Sequence, residues 1–153
     1  MRKTCGIYLI NKNDKLLITH PTNHPLFGSW SIPKGVPDKD ESFLDAAIRE
    51  TFEETGIDLT GIVMNRNIKI HYLPSVIYKS NKKTLYSFLI IDKELDDVKV
   101  VCDSLATVNG VSFPENDDYK WVHISHIYML KQYLHEPQTT NLEEIVKIFN
   151  KIN

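Results

Sequence analysis

Cysteine is nearly absent from this sequence. Only Cys5 and Cys102 occur, which excludes a disulfide scaffold as the organising principle and favours a reduced protein. Neither charge is in excess, since 18 Lys and Arg stand against 20 Asp and Glu for a formal net charge of −2. No chain-wide field therefore draws the protein toward nucleic acid or an anionic membrane, although a nucleotide needs only a local basic patch. No run of about 20 apolar residues is present, so no transmembrane helix and no membrane partner are expected. The apolar run at residues 6–10 stops at the polar stretch 11–15, too soon for a signal-peptide core, and the expected location is the cytoplasm. Repeats, low-complexity tracts and long linkers are also missing. With 153 residues, 42% of them apolar, a single domain over 1–153 with its own core is expected. The oligomeric state is not legible.

What is present reads as alternating strands and helices. Apolar stretches at 6–10 and 16–19 around the polar turn predict a strand pair. Residues 20–30 contain Pro21, Pro25 and Gly28 and should form a loop, followed by a short extended piece at 29–33. Leu44, Ala47, Ile48 and Thr51 recur at three- and four-residue steps, which makes 42–55 the clearest helix. Asp40, Glu41 or Ser42 can cap its start, and Gly56 can close it in a left-handed turn. Further strands are expected at 68–73, 76–80, 84–92, 98–102 and 119–124. A helix at about 125–135 should stop before Pro137. The last helix presents Leu142, Ile145, Val146 and Phe149 as one stripe, with Thr140 and Glu143 at capping-box spacing. Several strands with three helices predict an α/β fold, a mixed sheet covered by helices.

The chemistry concentrates in residues 35–57. Helical residues advance by about 100°, so Glu50, Glu53 and Glu54 fall within roughly a third of the circumference, away from Leu44, Ile48 and Thr51. Like charges at these spacings destabilise a helix, and Arg49, four residues before Glu53, relieves only part of the repulsion. A divalent cation would relieve the rest. Oxygen-only ligands favour Mg²⁺ or Mn²⁺, and Mg²⁺ sites are commonly completed by substrate phosphates.

Gly35, Glu41, Arg49, Glu50, Glu53, Glu54 and Gly56 stand at the spacing of the Nudix box, and Ile57 fits its last aliphatic position. Seven fixed residues at fixed spacing arise by chance about once in a million chains of this length, so the segment resembles the Nudix hydrolase family specifically. Thr51 departs from the usual Ile, Leu or Val and reads as a packing variation. The resemblance implies a Nudix-type α/β/α sandwich with a mixed sheet. It implies Glu50, Glu53 and Glu54 as metal ligands, joined by the Gly35 carbonyl, with Arg49 orienting the glutamates and Glu41 supporting the site. It also implies a late-loop glutamate, for which Glu115 is the candidate. The segment from Glu115 to Tyr119, Lys120 and Trp121 is similar to one in Nudix dinucleoside tetraphosphate hydrolases, although Pro114 stands where those often carry His.

The reaction implied is in-line attack of water on one phosphorus of a diphosphate, with Mg²⁺ or Mn²⁺ as cofactor and Glu50 the favoured base. Lys34 is expected to contact phosphate. The sequence Pro33, Lys34, Gly35 resembles hydrolases of dinucleoside polyphosphates, diphosphoinositol phosphates and RNA 5′ ends. A nucleotide-like small molecule, a dinucleoside polyphosphate, is the expected substrate, with RNA 5′ ends as the alternative and nucleoside triphosphate sanitising behind them. A basic groove including Lys82, Lys83 and Lys120 would suit RNA. Pro74 resembles a mark of ADP-ribose hydrolases at an imperfect offset and reads better as a strand-end proline. Tyr86 and Tyr119 are the expected base contacts, with Tyr72, Tyr78 and Trp30 as further aromatics. His20 and His24 have a ligand-like interval, but Pro21 and Pro25 argue against a helix that would join them. A non-catalytic nucleotide sensor on the same fold would be expected to lack box glutamates, and none is missing.

Overall fold

The chain is described by a computed structural model covering residues 2–66, 68–79 and 82–152. The first strand, β1 (Arg2–Ile10), is buried from Thr4 onward and organises the rest. Its uninterrupted apolar run is tolerated because both faces are covered. Successive side chains point to opposite faces, so Tyr8 and Ile10 enter one core cluster while Cys5, Ile7 and Leu9 enter the other. β2 (Lys15–Pro21) divides likewise, with Leu16 and Ile18 on the first face and Leu17 on the second.

The remaining elements are β3 (Lys34–Gly35), α1 (Phe43–Thr55), α2 (Leu59–Arg66), β4 (Ile70–Tyr72), β5 (Val76–Tyr78), β6 (Lys83–Ile91), β7 (Leu105–Val108), β8 (Val111–Pro114), β9 (Asn116–His123) and α3 (Leu142–Ile152). Seven strands form one mixed sheet in the order β4-β6-β1-β2-β9. β6 runs parallel to β1 along its whole length, from Arg2 opposite Lys83 to Ile10 opposite Ile91. β3 pairs with β1 beyond the β1–β2 hairpin, and β5 pairs with β6 beside β4. α1 covers one face, and α3 with the short 3₁₀ turns before it covers the other. The expected mixed sheet with flanking helices is therefore present.

Strand 98–102 is not formed. Val101 N–H donates to Thr55 O at 3.1 Å and Asp103 N–H to Glu53 O at 2.9 Å. The segment thus satisfies carbonyls at the end of α1, which have no partner within their own helix, instead of joining the sheet. The helix expected at 125–135 is a 3₁₀ stretch, Ile124–Gln132. The Gln132 and Tyr133 carbonyls at its end are taken by Gly28 and Trp30 N–H at 3.0 and 2.9 Å, which ties the loop at 20–30 to this stretch. Thr140 does not cap α3, because the chain enters that helix directly from a 3₁₀ turn, Glu136–Asn141, and Leu142 N–H donates to Thr139 O. The strand at 76–80 ends at Tyr78, and Ser80 lies outside the described residues.

Four elements have no counterpart among those expected from the sequence: β3, which lies just past the extended piece expected at 29–33, α2, and the two strands of the β7–β8 hairpin. α2 carries Gly61, which lowers helix propensity, although the Asp58 carboxylate accepting Thr60 N–H at 3.0 Å is a capping signal. The β7–β8 hairpin turns on Asn109 and Gly110, both at positive φ. An Asn-Gly pair between β-branched residues marks such a turn.

Candidate active site

Ser42 accepts Asp45 N–H at 3.1 Å and caps α1, and Gly56, at φ 78°, closes the helix by donating to Phe52 O. Thr51 is fully buried and gives its hydroxyl proton to Ala47 O at 2.8 Å, so it fills the apolar position without leaving a polar atom unpaired. The helix is thereby fixed in a register that presents Glu50, Glu53 and Glu54 to the turn containing Gly35.

Arg49 gathers this face. Its Nε and Nη2 donate to the two oxygens of Glu41, each at 3.0 Å, and its Nη1 donates to Glu50 Oε1 at 3.0 Å and Glu53 Oε1 at 3.2 Å. Nη2 also reaches the Val36 carbonyl at 3.1 Å, and Glu41 accepts Asp38 N–H at 2.9 Å. The planar fork makes contacts that a lysine ammonium cannot reproduce together. Arg49→Lys should preserve the charge yet lower metal affinity about 10- to 100-fold, as loss of an orienting partner does. Titration with Mn²⁺ measures it, and unchanged affinity would remove Arg49 from the orienting role.

Glu50 lies against Gly35 so closely that a Cβ there would collide with its carboxyl group. Gly35→Ala should displace Glu50, lowering turnover at least about tenfold by misplacing a reacting group. A kinetic assay beside a thermal melt tests this, and full activity would show that Glu50 does not need the space.

Glu54 is buried, with Oε2 accepting Lys34 N–H and Oε1 accepting Asn116 Nδ2, both at 3.0 Å. Burial pushes the Glu54 carboxyl up to about 8 against the opposing pull of Asn116 and Lys34. Burial, then the charge of Glu53, pushes Glu50 up to about 7, with Arg49 opposing and the charge of Glu115 adding to the rise. Two carboxyls are thus held near neutrality in a site lined with acids.

Glu54 opens onto a cleft of about 880 Å³, whose walls also include Lys34, Lys83, His24, His135 and Glu115. Burial, then Lys34 and Arg2, lower the pKa of Lys83. Burial, then Lys34, lower that of His135. The positive charge of Lys34 thus disfavours the charged forms of both neighbours and makes this wall of the cleft electropositive. Buried Gln138 ties the far layer to this wall. Its Oε1 accepts Ile32 N–H at 2.9 Å, its Nε2 donates to Ser31 Oγ at 2.9 Å and Tyr78 OH at 3.3 Å, and its carbonyl accepts the Tyr8 hydroxyl at 2.7 Å. That network fixes the segment leading into Lys34 and Gly35.

Glu41, Arg49, Glu50, Glu53, Glu54 and Gly35 are therefore brought together, and Lys34 and Glu115 reach the same cleft. Tyr119 lines a small pocket behind Asn116 and Glu54. Tyr86 does not reach the cleft and stacks on Phe43 at 4.3 Å in a separate groove. Of the three lysines of the expected basic groove, Lys83 lines the cleft and Lys120 lies over the Trp30 ring elsewhere. Trp30 is buried, while Tyr78 lines the cleft and Tyr72 stands exposed on β4. His20 and His24 do not share a site. His20 meets Asp117 Oδ1 at 2.7 Å and Pro25 O at 3.1 Å, whereas His24 approaches Thr22 O. The Pro74 carbonyl accepts Asn141 Nδ2 between β4 and β5. Asn116 and Gln138 are cleft residues that composition and spacing give little reason to single out.

Among the described residues no three His, Cys, Asp or Glu side chains already converge as a metal cage, since Glu50 and Glu53 turn to Arg49 and Glu54 turns to Asn116. The donor set still fits a hard divalent ion. It is all oxygen, its carboxyls crowd one helix face, and the space over Gly35 admits no side chain.

A family model described as the NUDIX domain matches residues 1–145. An RNA pyrophosphohydrolase of Pelagibacter ubique is 28% identical over 138 residues, covering 83% of this chain and 79% of that protein. The mRNA decapping complex subunit 2 of Schizosaccharomyces pombe is 37% identical over 57 residues, which are 31% of this chain and only 8% of that relative's length. A solved Ap4A hydrolase binary complex from C. elegans shares the fold, with TM-score 0.68 and 21% identity over 97% of this chain and 98% of that one.

Proposed function

Since this chain belongs to the Nudix hydrolase family, we propose that it hydrolyses a phosphoric anhydride bond in a nucleotide-linked substrate, with a dinucleoside polyphosphate first in order. The observation that carries this reading is the pairing of crowded carboxyls, Glu50 and Glu54, with a cleft lined by Lys34 and Lys83. Glu50, Glu53, Glu54 and the Gly35 carbonyl would hold Mg²⁺ or Mn²⁺, with Glu115 at the rim. A divalent ion there supplies positive charge against phosphate oxygens and makes water more acidic. Lys34 and Lys83 bind the polyphosphate as point charges. Glu50 takes the proton of the attacking water at its carboxylate, a role suited to a half-buried carboxyl over the Gly35 turn. Arg49 and Glu41 hold the acids in place. As the water oxygen bonds to phosphorus, the bridging oxygen leaves with the electron pair of the anhydride bond.

A second reading, action on RNA 5′ ends, is favoured by the Pelagibacter relative, named RNA pyrophosphohydrolase and matched over most of both chains. The deciding experiment offers diadenosine tetraphosphate, 5′-triphosphorylated RNA, ADP-ribose and 8-oxo-dGTP with Mg²⁺ or Mn²⁺. Metal-dependent cleavage of diadenosine tetraphosphate above the others is expected. Preference for the RNA would replace the first substrate by the second. Metal-dependent binding without cleavage of any member would reverse the hydrolase reading in favour of a sensor.

A further inference from the structure

The second cavity beside the acids is built differently from the cleft. It is a groove of about 340 Å³ lined by Ser42, Phe43, Tyr72, Tyr86 and Phe88, among others. Phe43 and Tyr86 stack at 4.3 Å, and Tyr72 meets Phe88 edge-on at 5.1 Å. Tyr72 is 73% exposed, so its ring face is open to a ligand. Lys3 holds its ammonium 5.3 Å from the centre of the Phe43 ring.

The position of the groove follows from the strand register. Cys5 of β1 lies opposite Gly35 on one side and opposite Tyr86 on the other. Neighbouring strands are about 4.8 Å apart, so Tyr86 stands about 10 Å from Gly35, two strands across the same sheet. Cys5, Tyr86, Phe88 and Phe43 share the α1 face, where Glu50 covers Gly35. Ser42, at the groove's edge, follows Glu41 directly. The acids therefore lie between two cavities, a cationic cleft on the Glu54 side and an aromatic groove on the Glu41 side.

We propose that this groove is a nucleobase subsite, which takes the base on the far side of the bond that is cut. The inference rests on the hydrolase reading and gives it a two-sided substrate. One end of the polyphosphate and its nucleoside occupy the cleft. The second base seats against Tyr72 in the groove, and its sugar-phosphate passes Lys3. Aromatic rings bind bases through their π-faces and discriminate little among them, so the groove selects for the presence of a second nucleoside rather than its identity. Only a dinucleoside polyphosphate carries a base on each side of the anhydride. Both bases at an RNA 5′ end lie on one side of it, so the groove is a subsite for the second nucleoside of a dinucleoside polyphosphate.

The test compares paired ligands by calorimetry, using Glu54→Gln protein with Mg²⁺ so that consumption of ligand is slowed at least about a hundredfold. Diadenosine tetraphosphate is set against adenosine tetraphosphate, and triphosphorylated ApA against ATP. Diadenosine tetraphosphate should bind about tenfold tighter than adenosine tetraphosphate, whereas triphosphorylated ApA should gain nothing over ATP from the groove, since both of its bases lie on one side of the triphosphate. Tyr72→Ala should erase the difference, Tyr72→Phe should keep it, and Tyr128→Ala, an exposed tyrosine elsewhere, should also keep it. Equal affinities of diadenosine tetraphosphate and adenosine tetraphosphate, a gain confined to the ApA pair, or a difference that survives Tyr72→Ala would overturn the subsite. Turnover by the unaltered chain is read separately. A second-base preference without cleavage would sink the hydrolase reading and leave the groove standing.

Discussion

Replacing Glu54 by glutamine should cut turnover at least about a hundredfold and, in the absence of metal, raise the melting temperature. Both effects come from one carboxyl. A direct metal ligand should cost at least as much as the orienting partners behind it, whose loss costs about 10- to 100-fold. The isostere can still accept Lys34 N–H, and the Asn116 amide can turn to meet the glutamine amide. It does not have to be ionised in a buried place, which is the cost that lifts the Glu54 carboxyl to about 8. A residue that lowers stability while serving turnover is what a site kept for its chemistry should contain. Steady-state kinetics beside a melt in EDTA give the answer. Near-normal turnover would remove Glu54 from the ligand set, and a lower melting temperature would mean that its ionised form stabilises the fold.

The metal-free protein should lose stability as pH rises from about 4.5 to 8, and divalent metal should return it. Glu50 and Glu54 both have folded-state pKa values above the ordinary 4.5, at about 7 and about 8. Below 4.5 both carboxyls are protonated in the folded and unfolded chain, and their burial costs nothing extra. Above 4.5 the unfolded chain releases these protons and the folded chain holds them, so stability falls with pH. The loss is complete once the folded carboxyls have ionised. At about 1.4 kcal/mol per tenfold change in proton affinity, moving Glu50 alone from 4.5 to about 7 corresponds to about 3 kcal/mol. Mg²⁺ or Mn²⁺ binds the ionised forms and stabilises the folded chain by mass action. The gain in melting temperature on adding metal should therefore be larger at pH 8 than at pH 5. Denaturant melts across this range, with and without Mn²⁺, decide it. A flat metal-free profile would contradict the crowding of these acids, and an equal metal effect at both pH values would separate metal binding from them.

The site was partly legible before any coordinates. Ser42, Gly56 and the Leu44, Ala47, Ile48, Thr51 stripe marked α1 because capping and helical period are local properties, and they placed the acids on one face. Glu115 was picked out by its surroundings and does reach the cleft. Its neighbour Asn116, which holds Glu54, carries no mark of its own. Gln138, 106 residues beyond Ile32, supports the wall through contacts that no window of sequence contains. Strand propensity at 98–102 was overridden because the end of α1 offers those N–H groups carbonyl partners. The helix expected at 125–135 is a 3₁₀ stretch whose end is held by the distant loop through Gly28 and Trp30 N–H, contacts that no local window contains.

The sequence by itself determined the acid face of α1, where most strands fall along the chain, and membership of a family whose chemistry needs those acids. These follow from neighbours within a few residues, where the backbone period leaves few choices. Only the tertiary structure decided which acids lose water, how their proton affinities move, that Lys34 and Lys83 face one cleft, and that Tyr86 lies across Cys5 from Gly35. Burial and strand register depend on groups far apart in the chain, and the charge state of a carboxyl depends on what surrounds it in space.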